Sequence, residues 1–301
     1  MNRQNDKTLQ DMEAVSIQWF PGHMTRTKRQ IEKSIRLVDA VAEIVDARVP
    51  ISSRNPVLHQ LIQGKPRVIL LNKSDMADPA ETKKWLQRYR AQGTPAVAVD
   101  CRSGKGLNGF IPLVREVLRD KIAVWEEKGM VGRTIRVMVV GIPNVGKSSL
   151  INKLCRGGKA AVADRPGVTR ENRWFTIGKG FELLDTPGVL WPKFEDKTVG
   201  EHLAFTGAVK DEVIDTERLA GRLLETLAVS YPQALCERYR LDDGFLPGKR
   251  GDEILEEIGR KRGMLMSGGV INTERAAAAV LDEFRSARLG HITLEKAEDN
   301  Q

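Results

Sequence analysis

Eight residues limit what this chain can fold into more than any others. Residues 141–148 read GIPNVGKS, directly after the apolar run IRVMVV and directly before SSLINKL. The pattern G-x-x-x-x-G-K-[ST] between a strand and a helix is a phosphate-binding loop. Its successive backbone N–H groups curl around an anion, and the positive end of the helix dipole adds to the attraction. Such a loop needs a parallel α/β sheet behind it, and the rest of the sequence supplies one. β-rich runs fall at 40–47, 66–72, 95–100, 135–141, 174–178 and 181–185, with helical patterns near 24–38, 56–63, 79–92 and 106–128. That alternation predicts an open, mainly parallel sheet with helices on both faces. Strand signals stop near residue 200, and helices are predicted at 215–230, 232–240, 251–261 and 273–289. The boundary falls near 190–205. The expected organisation is an N-terminal extension (1–15), an α/β domain (16–200), a small all-α domain (201–290) and a tail (291–301).

Within the loop, Asn144, Val145, Gly146, Lys147, Ser148 and Ser149 are the expected phosphate contacts. Lys147 reaches the β- and γ-phosphates and Ser148 holds Mg²⁺. DTPG (185–188) closes the strand FELLD, so Asp185 is placed for the Mg²⁺ water shell and the Gly188 N–H for the γ-phosphate. RPGVTR (165–170) lies between them and offers Thr169 to the metal and the γ-phosphate. LNKSD (71–75) ends another strand and contains N-K-x-D. Asp75 accepts from guanine N1–H and the 2-amino group together, a donor pair that adenine lacks, and a buried polar mismatch is an effective rejector. Lys73 lies along the base plane and Asn72 ties its loop to the phosphate loop. The element closing over the base belongs in VDCRSGKGL (99–107), which puts Cys101 where a small Ser-Ala pair is usual.

The order of these motifs is unusual. N-K-x-D at 72–75 precedes the phosphate loop at 141–148, so the motifs run fourth, fifth, first, second, third. The spacing inside each group is that of one domain. The expected fold is therefore a circularly permuted P-loop GTPase domain followed by helices, a rearrangement that neighbouring termini tolerate.

QWFPGHM (18–24), VDARVPISSRNP, LLNKSD, GIPNVGKSSLIN, DRPGVT and LLDTPGVLWPKFED together resemble the circularly permuted GTPases, and within them the ribosome biogenesis GTPase A (YlqF-type) family. The resemblance starts at about residue 16. It implies GTP hydrolysis to GDP and phosphate, in an assembly factor for late maturation of the large (50S) ribosomal subunit, with turnover stimulated by that subunit. GTP and GDP, Mg²⁺, ribosomal RNA and ribosomal proteins are the implied ligands and partners. Val189 and Leu190 follow the DTPG turn and cannot polarise water. A group supplied in trans, a K⁺ ion or His23 remain to do so. The resemblance implies a water-orienting role for His23 and K⁺ binding for Asn144. Read from residues alone, QWFPGHM is a hydrophobic staple with His23 as a helix cap. The permutation predicts that helix 24–38 takes the place of a switch-II helix.

Charge is unevenly spread. Residues 1–200 hold 34 Lys and Arg against 21 Asp and Glu, whereas residues 201–301 hold 14 against 19. The basic front part suits a polyanion. Arg26, Lys28, Arg29, Lys33 and Arg36 on the first helix are candidate phosphate contacts, as are Lys249, Arg250 and Arg260–Arg262. Asp46, Arg48 and Arg54 read equally as contacts to nucleotide-proximal loops or RNA and as a structural ion-pair cluster. Cys101, Cys155 and Cys236 share no metal spacing and suit a reduced, cytoplasmic compartment. No apolar run of membrane-spanning length occurs, and no oligomer signal is present, so a monomer without membrane contact is expected. A GTP-dependent RNA-modifying enzyme and a GTP-regulated RNA-binding module are the competing functions. Residues 201–301 show no second catalytic constellation.

Overall fold

The computed structural model describes residues 21–156, 173–190, 196–209, 211, 214–242 and 244–298. Its described residues form two compact units. One holds 21–190 and takes up 290–298; the other holds 196–289.

The first unit is built on a six-stranded sheet. Its strands are β1 (Ala40–Asp46), β2 (Arg67–Asn72), β3 (Ala96–Ala98), β4 (Ile135–Val140), β5 (Arg173–Thr176) and β6 (Phe181–Asp185), in the order β3-β2-β1-β4-β6-β5. All neighbours are parallel except β5, which runs antiparallel to β6 at the edge. β1 is buried at every position. A strand covered on both faces has no room for an unpaired charge, and its one mid-strand acid, Glu43, meets Arg54 and Arg67. Asp46 of β1 lies in register with Asn72 of β2, and Val139 of β4 with Asp185 of β6. The motif-bearing strand ends therefore share one edge of the sheet, where open α/β sheets bind ligands.

Helices α1 (Pro21–Ser34), α2 (Pro56–Leu61), α3 (Pro79–Ala91), α4 (Phe110–Val117), α5 (Arg119–Glu127) and α6 (Lys147–Arg156) complete this unit. The helix expected over 106–128 is two helices behind a 3₁₀ turn at Leu107–Gly109. Pro112 lacks an N–H and is tolerated only in a first helical turn, so α4 begins at Phe110. Leu118, fully buried, leaves helical geometry (φ −103°, ψ 5°) and separates α4 from α5. Ile31 of α1 packs in one core cluster with Val38, Val41, Met138, Leu184 and Val189.

The second unit is all helical: α7 (Lys197–Phe205), α8 (Thr216–Ser230), α9 (Pro232–Tyr239), α10 (Gly251–Lys261) and α11 (Thr273–Arg285). α7 lies within the interval read as a boundary, and the Asp196 carboxylate caps it at the Thr198 N–H. Leu219, Leu223, Leu224 and Leu227 put the apolar face of α8 at the centre. Gly221 of α8 and Gly251 of α10 allow the two backbones to touch; a Cβ on Gly251 would sit 2.2 Å from the Gly221 carbonyl oxygen. Glu283 of α11 takes Arg238 of α9 in a two-point ion pair, and Arg285 bonds to the Ala204 and Phe205 carbonyls and to Asp211. Among the described residues no helix is long and apolar enough to cross a membrane.

Candidate active site

The phosphate loop follows β4 and opens α6. Asn144 adopts a left-handed conformation (φ 57°), and Gly146 has φ 108°. Left-handed positions of this kind are found where successive N–H groups form an anion nest. Gly146 has a second constraint: a Cβ there would lie 2.2 Å from Asn72 Nδ2. Lys147 is nearly buried and donates to the Gly141 and Ile142 carbonyls at 3.2 and 2.7 Å. Burial pushes its pKa down to about 8, against the opposing attraction of Asp185. Burial likewise raises Asp185, against Lys147 and the Thr186 N–H. Thr186 turns inward and donates to the Val139 carbonyl at 2.6 Å. Ser148 is exposed at the head of α6.

Gly188 fits where no other residue would. A Cβ there would stand 2.8 Å from Lys147 Nζ and 2.9 Å from Pro143 backbone atoms. Val189 and Leu190 are buried core residues, and Asn55 Nδ2 holds the Val189 carbonyl at 2.8 Å.

The base-reading half comes from β2 and β3. Asn72 donates to the Val145 carbonyl at 2.7 Å and accepts from the Cys101 N–H at 3.0 Å. One buried amide thus joins the fourth, fifth and first motifs, although 73 residues separate Asn72 from Val145. Lys73, at φ 59°, places Nζ 2.9 Å from Asp46. Ser74 bonds to the Val99 carbonyl at 3.0 Å, and Asp75 is exposed beyond it. Cys101 is buried, and burial with the charges of Asp100 and Asp75 pushes its thiol up to about 12. It serves as packing and as a backbone donor. The departure from a Ser-Ala pair is explained by Asp100, whose carboxylate takes the N–H groups of Arg102 and Ser103 and so shapes the turn. Gly106 lets the same loop pass the Ala98 carbonyl, 2.2 Å from where a Cβ would stand.

The 46–54 segment is an ion-pair cluster at the side of this site. Arg48 is fully buried and grips Asp46 at 2.9 and 2.8 Å. Arg54 pairs with Glu43 and stacks over Tyr89. Arg48 is therefore no RNA contact, but Asp46 does touch the nucleotide-proximal loop through Lys73. Thr169 lies outside the described residues. His23 falls in α1, and its side chain lies outside them too. Two supporting residues, Asn55 and Gly106, were not singled out from sequence; Gly106 sits in the S-G-K-G-L turn, and Asn55 before Pro56 is a helix-cap signal.

Phosphate loop, acidic strand end and N-K-x-D loop on one sheet edge, with the fourth and fifth motifs ahead of the first, define a circularly permuted GTPase domain. Residues 136–221 match the family described as 50S ribosome-binding GTPase. Ribosome biogenesis GTPase A of Bacillus licheniformis is 45% identical over 94% of this chain and 99% of its own. Among solved structures, GDP-bound YlqF superposes with a TM-score of 0.65 at 30% identity, over 90% of this chain and all of that one. GNP-bound YlqF from T. maritima gives 0.61 at 29%, over 91% and 99%. The chain belongs to the ribosome biogenesis GTPase A family.

Proposed function

We propose that this GTPase binds GTP with Mg²⁺, docks on a maturing large ribosomal subunit in that state, and leaves after hydrolysis. The observation that carries the nucleotide part is Asn72, bonded at once to the phosphate loop and to the base-closing loop. That amide brings motifs far apart in sequence together, and in this reading the phosphate loop with Lys147 meets one end of the nucleotide and Asp75 the other.

The oxygen donors suit Mg²⁺. It favours a hydroxyl, a carboxylate through water, and phosphate oxygens over an all-protein cage. Ser148 and Asp185 supply the first two, and among the described residues no group of three His, Cys, Asp or Glu gathers elsewhere. Thr169 is the proposed third contact. When bound, the ion neutralises charge on the β- and γ-phosphates. Lys147 adds its own charge beside them, and the Gly188 N–H reads the γ-phosphate. Asn144 is the proposed K⁺ contact.

Hydrolysis needs an oriented water, and buried Val189 and Leu190 cannot provide it. His23 of α1 is the proposed orienting group. Its support is that α1 packs, through Ile31, in the cluster that also holds Val189, the residue after the γ-phosphate sensor.

For rRNA, the exposed side chains of Lys28, Arg29, Lys33 and Arg36 are the proposed phosphate contacts. The basic groups at the end of α10 and at its cap have partners within the helical unit: Arg260 with Glu256, Lys261 with Asp242, Arg262 with Glu283. The protein acts as a cytoplasmic monomer in this reading.

The test is GTP turnover with and without large subunits, alongside co-sedimentation in a GTP analogue or GDP. Subunit binding in the analogue and turnover raised tenfold or more are expected. His23→Ala should bind GTP and the subunit normally and lose most of that stimulation. Absence of subunit binding in the analogue sinks the assembly role, and full stimulated turnover in His23→Ala sinks the catalytic one.

A further inference from the structure

Residues 290–298 belong to none of the nucleotide motifs, yet they are bonded along their length to the sheet unit. The Ile292 N–H donates to the Met76 carbonyl at 3.1 Å, and the Leu294 N–H to the Arg48 carbonyl at 2.8 Å. Thr293 is fully buried, and its Oγ1 accepts the Asp78 N–H at 3.0 Å. The Glu295 carboxylate takes the Ser52 N–H at 3.0 Å, the Ile51 N–H and the Ser52 hydroxyl. Trp85 Nε1 donates to the Glu295 carbonyl at 2.8 Å, and Ala297 packs among Trp85, Leu71 and Ala77.

The residues it grips flank Asp75. Met76 is the next residue in the chain. Asp78 caps α3 by accepting from the Ala80 and Glu81 N–H groups, so it fixes where the loop ends. On the other side, the loop held by Glu295 contains Ser53, whose hydroxyl accepts the Asp46 N–H at 2.9 Å. Asp46 in turn holds Lys73. A carboxylate that must meet two donors of one base needs placement within a few tenths of an ångström, and only supporting contacts can supply it. Here those contacts come from both faces of the 73–78 segment, and the same nine residues make or brace them.

We infer that residues 290–298 form a strap that sets the guanine-reading loop in place, with Thr293 and Glu295 as positioning residues for base selectivity. The inference rests on the guanine site proposed above. It also gives the helical unit a second main-chain connection to the sheet unit. The chain leaves the sheet unit after Leu190, just past the γ-phosphate sensor, and re-enters it as the strap on the base side.

The test uses the full chain carrying Thr293→Val and Glu295→Gln together, with dissociation constants measured for GDP and for inosine diphosphate, which lacks the 2-amino group. Both ligands are titrated into the same preparation, so any loss of folded protein cancels in their ratio. The strap predicts that the preference for GDP falls fivefold or more. A ratio within twofold of the parent, whatever the melting temperature, overturns it. Asp75→Asn is the control on the underlying site and should shift preference to xanthosine diphosphate. If it does so while the strap variant keeps its ratio, the strap alone fails. If Asp75→Asn leaves GDP binding unchanged, the guanine reading fails and takes the strap's role with it.

Discussion

At the scale of single residues, the site depends on charges held where water is scarce. Asp46 shows the balance. Burial alone would raise its pKa, but Arg48 and Lys73 outweigh burial and hold the carboxyl well below the usual carboxylate range. A depressed carboxyl contributes stability that is present above its unfolded pKa of about 4 and is lost as pH falls toward the folded value. Asp46→Asn leaves Arg48 buried without its counter-charge, a change that costs about 3–5 kcal/mol in comparable pairs. Denaturant unfolding at pH 7 should show that loss. Repeated at pH 3, where the unfolded parent takes up the proton, the gap between parent and variant should narrow by about 1 kcal/mol. An equal gap at both pH values would mean that the aspartate acts through shape and not through charge. The ion pairs were visible in the sequence only as candidates. V-D-A-R lists an acid and a base two apart, and only the fold shows that both turn inward and that Lys73 joins them.

At the scale of elements, the sequence was legible wherever a motif required a specific backbone. GIPNVGKS, DTPG and NKSD each sit at a strand end, because a phosphate or a base can be met only there. What could not be read was where elements stop for tertiary reasons. Leu118 breaks a continuous helical pattern because its side chain fills the core. α7 falls in a stretch whose pattern is short. The strap is polar and lacks a period, and its structure comes entirely from partners more than 200 residues earlier. The helical unit offers a test of a contact that sequence does not announce. α8 and α10 meet at Gly221 and Gly251, and a methyl on Gly251 would overlap the Gly221 backbone, which cannot swing aside as a side chain can. Gly251→Ala gains helix propensity of about 1 kcal/mol, yet the overlap should win and destabilise the unit by about 1–3 kcal/mol net. Thermal unfolding measures it. GDP affinity should stay at the parent value, because the partners of Gly251, Gly221 and Glu225, both belong to the helical unit.

At the scale of the whole molecule, the permutation decides how nucleotide state reaches a partner. In the unpermuted order the γ-phosphate sensor leads into the next strand of the same sheet. Here Gly188 and buried Val189 lead out toward the helical unit, while β1 is entered from α1. Ile31 and Val189 of the shared core cluster therefore lie near the two ends of the 21–190 stretch. α1 carries exposed cations at 28, 29 and 33, and the 3₁₀ turn that follows it, Ile35–Leu37, carries a fourth at 36. If they meet rRNA phosphates, each contact contributes roughly 0.7–0.9 to the slope of log K against log salt. Replacing Lys28, Arg29, Lys33 and Arg36 by Gln should lower the magnitude of that slope by about 3 for binding to the large subunit, measured by sedimentation between 50 and 200 mM KCl. Intrinsic GTP affinity should not change, because these side chains are exposed and belong to none of the nucleotide motifs. The same substitutions at 260–262, the end of α10 and its cap, should shift the slope far less, since their charges already have carboxylate partners beside them. The opposite ranking would place the proposed rRNA contacts on the helical unit and not on the first helix.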